Sequence, residues 1–244
     1  MRENQAQFRA LGVSGAPAAG RLTTCFALGD GLVVDTGALV HGQAPAESAA
    51  VTDILLSHSH LDHTLGLPFR LGHGELRVWG LKETLDAVRQ HLLGGDIWPD
   101  LSATASWNEV QAGAELEVAG WKVHTHRCSH TVPCLAFALE RGGRKLVIVG
   151  DTRVDEGLMT WVASQEAPAC VVECSFPDRV SDVAVRFGHQ TPRDLRSWRA
   201  ALGSDTRMYV THVKPSARDE TLGECRALQD AGLTVLEQGD AFPL

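Results

Sequence analysis

His58, His60, Asp62 and His63 fall within six residues, in ILLSHSHLDHTLGL (54–67). Three imidazoles and a carboxylate are donor types that bind divalent metals. His58 and His60 are two residues apart, so on extended chain their side chains share one side. There two neutral imidazoles can serve one ion. Asp62 and His63 are adjacent and point differently; a helix beginning near Leu61 would aim them from its first turn. Two ions close together explain this spacing better than one ion taking all four donors.

Two ions need more donors, and three stand just past apolar runs. His130 follows WKVHTH and a short polar turn, Asp151 ends KLVIVG, and His212 ends RMYVT. Active sites are commonly built on loops at strand ends. His124 and His126 compete with His130, but they alternate within a strand, and His130 is preferred because it lies beyond the strand end. His41, His73 and His91 lie in loops or on a helix with no cluster and read as solvated.

The elements that must position these donors are legible as hairpins and short strands. CFALGDGLVVDTG predicts a hairpin turning at Gly29-Asp30-Gly31, and ELEVAGWKVHTH another near Ala119-Gly120. LAFALERGGRKLVIVGD predicts a third, its Gly142-Gly143 suited to a tight turn with positive φ. Apolar strands follow at ACVVECSF, RMYVTH and LTVLEQ. Leu81, Leu85, Val88 and Leu92 fall at helical spacing, stopped by Gly94-Gly95. TPRDLRSWRAALG starts with Thr191 as cap, Pro192 at the first position and Asp194 at the capping-box position. Leu222, Cys225 and Leu228 mark a late helix ending near Gly232. GAPAAG (15–20) and GQAPAESAA (42–50) read as surface loops. Hairpins throughout exclude a purely parallel doubly wound sheet, and two mixed sheets packed together with helices outside fit better. LVVDTG (32–37) and LVIVGDT (146–152) echo one another and hint at two similar halves.

The 244 residues suit one undivided α/β domain over 1–244, with 44% apolar and 21% charged residues. The net charge of −8 lacks the basic balance that long nucleic acids favour. A small anionic substrate would need local positive charge, which metal ions supply. The six cysteines form no CxxC pair and no disulfide framework, so all are expected reduced and mostly buried. MRENQAQFRALG (1–12) has no apolar stretch of signal-peptide type, and no run approaches the roughly 20 apolar residues that span a bilayer. The expectation is a cytoplasmic protein without a membrane segment, with a homodimer left open.

HSHLDH resembles the HxHxDH signature of the metallo-β-lactamase superfamily, and the resemblance continues through His130, Asp151 in VGDT and His212, covering about 20–240. It implies an αββα sandwich with a two-metal site between the sheet edges. It further implies that His58, His60 and His130 hold one ion, that Asp62, His63 and His212 hold the other, and that Asp151 bridges them. Asp35 in VVDTG matches a position that supports the metal loop from outside. LSHSHLDHTLGLP, GLKETLDAVRQHL…IWPDLS, ECSFPDR, GHQTP and YVTHVKP together resemble the class II cyclic-nucleotide phosphodiesterases. Two departures stand out: Thr64 takes an aliphatic place, and LPFRLG replaces that family's apolar stretch.

Two divalent ions bring +4, and Asp62, Asp151 and one hydroxide subtract three. The remaining charge of about +1 attracts a phosphodiester monoanion. Metal coordination lowers the pKa of water to roughly 7, so a bridging hydroxide can attack phosphorus in line, with Asp62 among the catalytic groups. His189 in FGHQTP is a candidate general acid for the leaving alkoxide, next to a predicted helix N-terminus that could hold a phosphate oxygen. Glu173 could orient it, and the resemblance implies the same His–Glu pairing. Trp98 and Phe176 are candidates to stack on a purine, and Lys214 to contact phosphate. The donor set suits zinc, with manganese or iron as alternatives. The leading expectation is hydrolysis of a 3′,5′-cyclic nucleotide. Alternatives are a tRNA 3′-processing endonuclease, whose tRNA-gripping basic, Gly-rich arm has no counterpart in this sequence, a thioester or lactone hydrolase, and a metal scaffold without catalysis.

Overall fold

Alternation of apolar residues on short strands builds two seven-stranded sheets among the described residues, which in this computed structural model are 7–29 and 31–244. The first contains β1 (Gln7–Gly12), β2 (Cys25–Leu28), β3 (Leu32–Val34), β4 (Asp53–Leu55), β5 (Arg77–Gly80) and β6 (Ser106–Glu109). The second contains β7 (Glu115–Val118), β8 (Trp121–Cys128), β9 (Cys134–Arg141), β10 (Arg144–Ile148), β11 (Ala169–Glu173), β12 (Arg207–Thr211) and β13 (Leu233–Val235). The chain then returns to the first sheet as β14 (Ala241–Pro243), antiparallel to β1.

The two sheets have matching plans. β14, β1, β2 and β3 pair antiparallel in that order, and β3 to β6 pair parallel. In the second sheet β7 to β10 pair antiparallel and β10 to β13 parallel. The LVVDTG and LVIVGDT echo therefore has a structural counterpart: β3 and β10 are the strands where pairing changes direction. Asp35 follows one and Asp151 the other.

Between the sheets lies a core that includes Phe8, Phe26, Trp121, Phe137 and Leu146. The outer faces are covered by helices: α1 (Pro45–Ala50), α2 (Leu61–Thr64), α3 (Leu67–Arg70), α4 (Lys82–Ala87), α5 (Glu156–Ser164), α6 (Ser181–Arg186), α7 (Leu195–Leu202) and α8 (Arg218–Ala227). Leu67, Leu85 and Val88 pack on Val33 and Ile54 of the first sheet. Leu158, Val162, Leu195 and Trp198 pack on Val147, Val172 and Val210 of the second. The result is the expected four-layer αββα sandwich.

All three expected hairpins form, although Asp30 in the first turn lies outside the described residues. Gly142 and Gly143 take φ of 59° and 77°, as a tight turn between right-twisted strands requires. Helix α4 continues through a wider π turn at Val88–Leu92. The capping box before α7 is present, with Asp194 accepting from the Thr191 N–H at 2.9 Å, and it opens on a 3-10 turn, Pro192–Asp194. Two expectations are corrected. Residues 45–50 are helix α1, not loop, because Pro45 suits the first turn, alanine favours helix, and Glu47 accepts from the Ala44 N–H at 2.9 Å. Helix α8 ends at Ala227 rather than near Gly232, since Gln229 takes a left-handed φ of 52°. All six cysteines are free and buried. No helix among the described residues is long and apolar enough to cross a membrane. Residues 1–6 of the N-terminal stretch lie outside the described residues.

Thr64, the departure noted after the histidine cluster, is buried and donates to the His60 carbonyl at 3.0 Å, tightening α2. Arg70 on α3 is 2% exposed, and its guanidinium donates to the carbonyls of His73, Ala49, Val51 and Glu75 at 2.6–3.3 Å. Arg70→Met should lower unfolding stability by about 2–4 kcal/mol, because it removes a buried charged hydrogen-bond hub and strands the buried Val51 carbonyl along with three part-buried ones. Chemical denaturation measures this, and a loss below about 1 kcal/mol would show that water replaces the guanidinium.

Candidate metal centre

The donors converge where loops leave the strands of both sheets. His60 is the residue just before α2, and Asp62 and His63 project from its single turn, as the sequence suggested. His58 follows β4, His130 follows β8, Asp151 follows β10 and His212 follows β12. One donor from each of His58, His60, His130 and Asp151 gathers within 4.8 Å; so do donors from Asp62, His63 and His212, and from Asp151, His189 and His212. Asp151 lies between the groups. Its Oδ2 is 3.6 Å from His58 Nε2, 3.4 Å from His63 Nε2, 3.3 Å from His212 Nε2 and 3.9 Å from both His130 Nε2 and His189 Nδ1.

Outer hydrogen bonds determine which ring nitrogen each imidazole turns inward. The Asp35 carboxylate can only accept, so His63 Nδ1 donates to it at 2.7 Å. Ser57 gives its hydroxyl proton to Asp35 at 2.7 Å and can then accept from His58 Nδ1 at 3.0 Å. Ser175 repeats this pattern in the other sheet, donating to Glu173 at 2.8 Å and accepting from His212 Nδ1 at 2.9 Å. His130 Nδ1 donates to the Gly188 carbonyl at 2.8 Å. Each of these rings thereby turns its Nε2 toward the cluster. His60 differs, turning Nδ1 toward His130 Nε2 at 3.1 Å. Asp35 and His212 hold left-handed φ values of 57° and 65°, strain that the packed loops sustain at the site.

The chemistry of this donor set fits a cation. His58 Nε2 and Asp151 Oδ2 are fully buried and have no hydrogen-bond partner among the described residues. Such atoms are costly unless something binds them. His63 Nε2 and His212 Nε2 face each other at 3.1 Å, a separation at which two lone pairs repel unless a proton or metal lies near both.

Electrostatics agree with two unlike halves. Burial, reinforced by neighbouring imidazoles, holds His58 well below the ordinary histidine range, lowers His130, and brings His60 down to about 4. Those rings are neutral at pH 7, with lone pairs available. Burial also disfavours a charged His63, but Asp151 and Asp35 outweigh it and hold its pKa well above the usual value. Asp62 and Asp151 lie far below the usual carboxylate range; burial opposes ionisation, but His212 and His63 overcome it. In the metal-free chain a proton on His63 does the balancing that a cation can take over.

His189, 7% exposed, sets Nδ1 3.1 Å from Glu173 Oε1. Burial lowers its pKa, but Glu173 and Asp151 reverse the effect, and the net shift is upward. Glu173 is 1% exposed and also accepts from Ser175 and the Thr152 N–H. Phe176 lies 5.7 Å from the His189 ring. Lys214 faces Asp62 Oδ2 at 3.6 Å and donates to the Gly15 carbonyl. Trp98 packs edge-on to Phe69 at 4.7 Å, so its aromatic partner is not a cluster histidine. His124 sits 3.6 Å from Glu115 and His126 stacks on Trp161, both away from the cluster, while His41, His73 and His91 are exposed. Sequence reasoning missed Ser57, Ser175 and Gly188. Each serine adjoins or nearly adjoins a ligand-type residue, but nothing local says where its hydroxyl points.

The family model described as "Beta-lactamase superfamily domain" matches residues 31–213. "Ribonuclease Z" of Bradyrhizobium diazoefficiens is 25% identical over 69% of this chain and 74% of its own length. "Probable 3′,5′-cyclic-nucleotide phosphodiesterase" of Yersinia pestis is 23% identical over 95% of this chain and 87% of its own. The unliganded crystal structure of yeast PDE1 superposes with a TM-score of 0.81 at 20% identity, covering 98% of this chain and 99% of the other.

Proposed function

The chain belongs to the β-lactamase superfamily, and from that premise we propose that it is a dinuclear metal-dependent phosphodiesterase, acting as one unit over 1–244, whose substrate is a small 3′,5′-cyclic nucleotide. His58, His60 and His130 would hold one divalent ion, Asp62, His63 and His212 the other, with Asp151 between them. Zinc is the metal this imidazole-rich set favours, manganese or iron being the alternatives. Bound ions would supply Lewis acidity and bring the pKa of water to about 7.

The protein's own residues do the rest. Asp35, Ser57 and Ser175 lock the imidazoles with their lone pairs inward. Asp62, held by His212 Nε2 at 3.2 Å, offers a carboxylate that can orient the attacking water. Glu173, accepting from His189 Nδ1 at 3.1 Å, favours the imidazolium, whose Nε2 proton can pass to the departing sugar oxygen. Phe176, 5.7 Å from the His189 ring, is the candidate to stack on the base, and Lys214 adds positive charge beside Asp62. Trp98, whose ring packs edge-on to Phe69, is the second candidate to stack on the base. The observation that carries the phosphodiester reading is the buried His189–Glu173 pair, 3.1 Å apart beside Asp151. An alkoxide leaving group needs such an acid, whereas a thiolate does not.

A second reading is precursor-tRNA cleavage, supported by the similarity to Ribonuclease Z. The net charge of −8 weighs against a long polyanion. Protein loaded with Zn2+ should turn over cyclic mononucleotides and bis(p-nitrophenyl) phosphate, and leave precursor tRNA and thioesters intact. Cleavage of precursor tRNA without cyclic-nucleotide turnover would establish the second reading. Failure on every phosphodiester would sink both.

A further inference from the structure

Gly188 stands between helix α6 and His189. Its φ is +73°, in the left-handed region that glycine enters without steric cost. That conformation turns its carbonyl onto His130 Nδ1 at 2.8 Å. The approach leaves no room for a side chain: a Cβ on Gly188 would lie 2.7 Å from His130 Nδ1 and 3.1 Å from both His130 Cα and Thr131 N.

The segment around it is fixed on both sides. The Gly188 N–H donates to the Val185 carbonyl at 3.2 Å and the His189 N–H to the Ala184 carbonyl at 2.8 Å, closing the turn onto α6. The Gln190 carbonyl accepts from Ser175 N at 3.0 Å and Phe176 N at 3.3 Å. Its side-chain oxygen accepts from the buried Trp198 indole at 2.6 Å. Three consecutive residues thus reach three parts of the centre: Gly188 the His130 ring, His189 the Glu173 carboxylate, and Gln190 the backbone of Ser175, whose hydroxyl holds His212.

We propose that Gly188 is a positioning residue: its left-handed carbonyl holds His130 with the proton on Nδ1 and the Nε2 lone pair toward His60 and Asp151. It acts through His130 and touches neither substrate nor reacting atoms. This inference rests on the dinuclear reading. A proton on Nε2 instead would face His60 Nδ1, 3.1 Å away, and remove His130 as a donor to a cation. The carbonyl decides between the two tautomers because it can accept and cannot donate.

Gly203 provides a control away from the site, with φ of +72°, ψ of −179° and no atom within 4 Å of where its Cβ would sit. Gly203→Ala carries backbone strain alone, whereas Gly188→Ala carries positive-φ strain plus intrusion on His130. Zn2+ alone is titrated into chelator-stripped full-length protein against a chromophoric competitor. Wild type and Gly203→Ala should each bind two ions with matching affinities. Gly188→Ala should bind one ion on the order of 10–100-fold more weakly and the other as before. Equal affinities in the two variants overturn the role of Gly188, while a wild type that binds no Zn2+ overturns the dinuclear reading and this inference with it. Should Gly188→Ala fail to fold, imidazole 1H–15N spectra of Zn2+-loaded wild type decide. His130 protonated at Nδ1 supports the proposal, and His130 protonated at Nε2 overturns it.

Discussion

Asp151→Ala should lose both divalent ions. Metal analysis after gel filtration is expected to find two per chain in wild type and fewer than one in the variant. Asp151 is the group the two halves share: its Oδ2 lies 3.3–3.9 Å from donors of His58, His63, His130 and His212. It is 2% exposed, and that oxygen has no hydrogen-bond partner among the described residues. Removing it leaves imidazoles facing one another around a cation with Asp62 as the remaining carboxylate within the clusters. The affinity loss should exceed the roughly 10–100-fold typical of losing an outer hydrogen-bond partner. Asp151→Asn preserves the shape and removes the charge, so it should lose metal as well. Two ions still bound in either variant would refute the bridging role.

The same carboxylate sets an acid limit on the metal-free fold. The histidines hold its folded pKa well below the usual value. Its contribution is therefore present above the unfolded value of about 3.9 and is lost as pH falls through the lower folded value.

His189→Ala should keep both ions and lose turnover, by roughly 10²–10⁴-fold on a cyclic nucleotide, the usual worth of a positioned general acid. The loss should be much smaller on bis(p-nitrophenyl) phosphate, because p-nitrophenolate departs without a proton. That contrast separates an acid from a residue that merely props the site. The pH profile adds a sign. A general acid works while protonated, and Glu173 and Asp151 raise the His189 pKa despite burial. Wild-type kcat should therefore be highest below that raised value and fall as pH rises through it. The variant should lack this alkaline limb, and Glu173→Gln should move it to lower pH. Equal losses on both substrates, or an unchanged alkaline limb, would remove His189 from proton transfer.

The histidine cluster was legible because its donors are local. His58, His60, Asp62 and His63 need only a strand end and one helical turn to come together, and both are written into DILLSHSHLDH. His130, Asp151 and His212 were legible for a related reason: each follows an apolar run whose end is visible in the sequence. Strands β1, β5, β6 and β14 were not read at all. The last three have only three or four residues, too few for period-two alternation to stand out, while the six-residue β1 mixes Gln, Arg and Gly with its apolar residues; strand pairing rather than propensity makes them strands. Helix α1 was misread because alanine, serine and proline are common to loops and first helical turns alike.

By itself, the sequence determined the donor types, their grouping along the chain and the strand-hairpin order that implies two mixed sheets. Those properties depend on neighbours within a few residues, where spacing and periodicity act. Only the tertiary structure decided which ring nitrogen each histidine turns inward, and that one glycine carbonyl holds His130. These depend on contacts such as Asp35 with His63, 28 residues apart, His130 with Gly188, 58 apart, and His63 with His212, 149 apart. A hydrogen bond's direction is set by the position of both partners, and folding supplies the second partner.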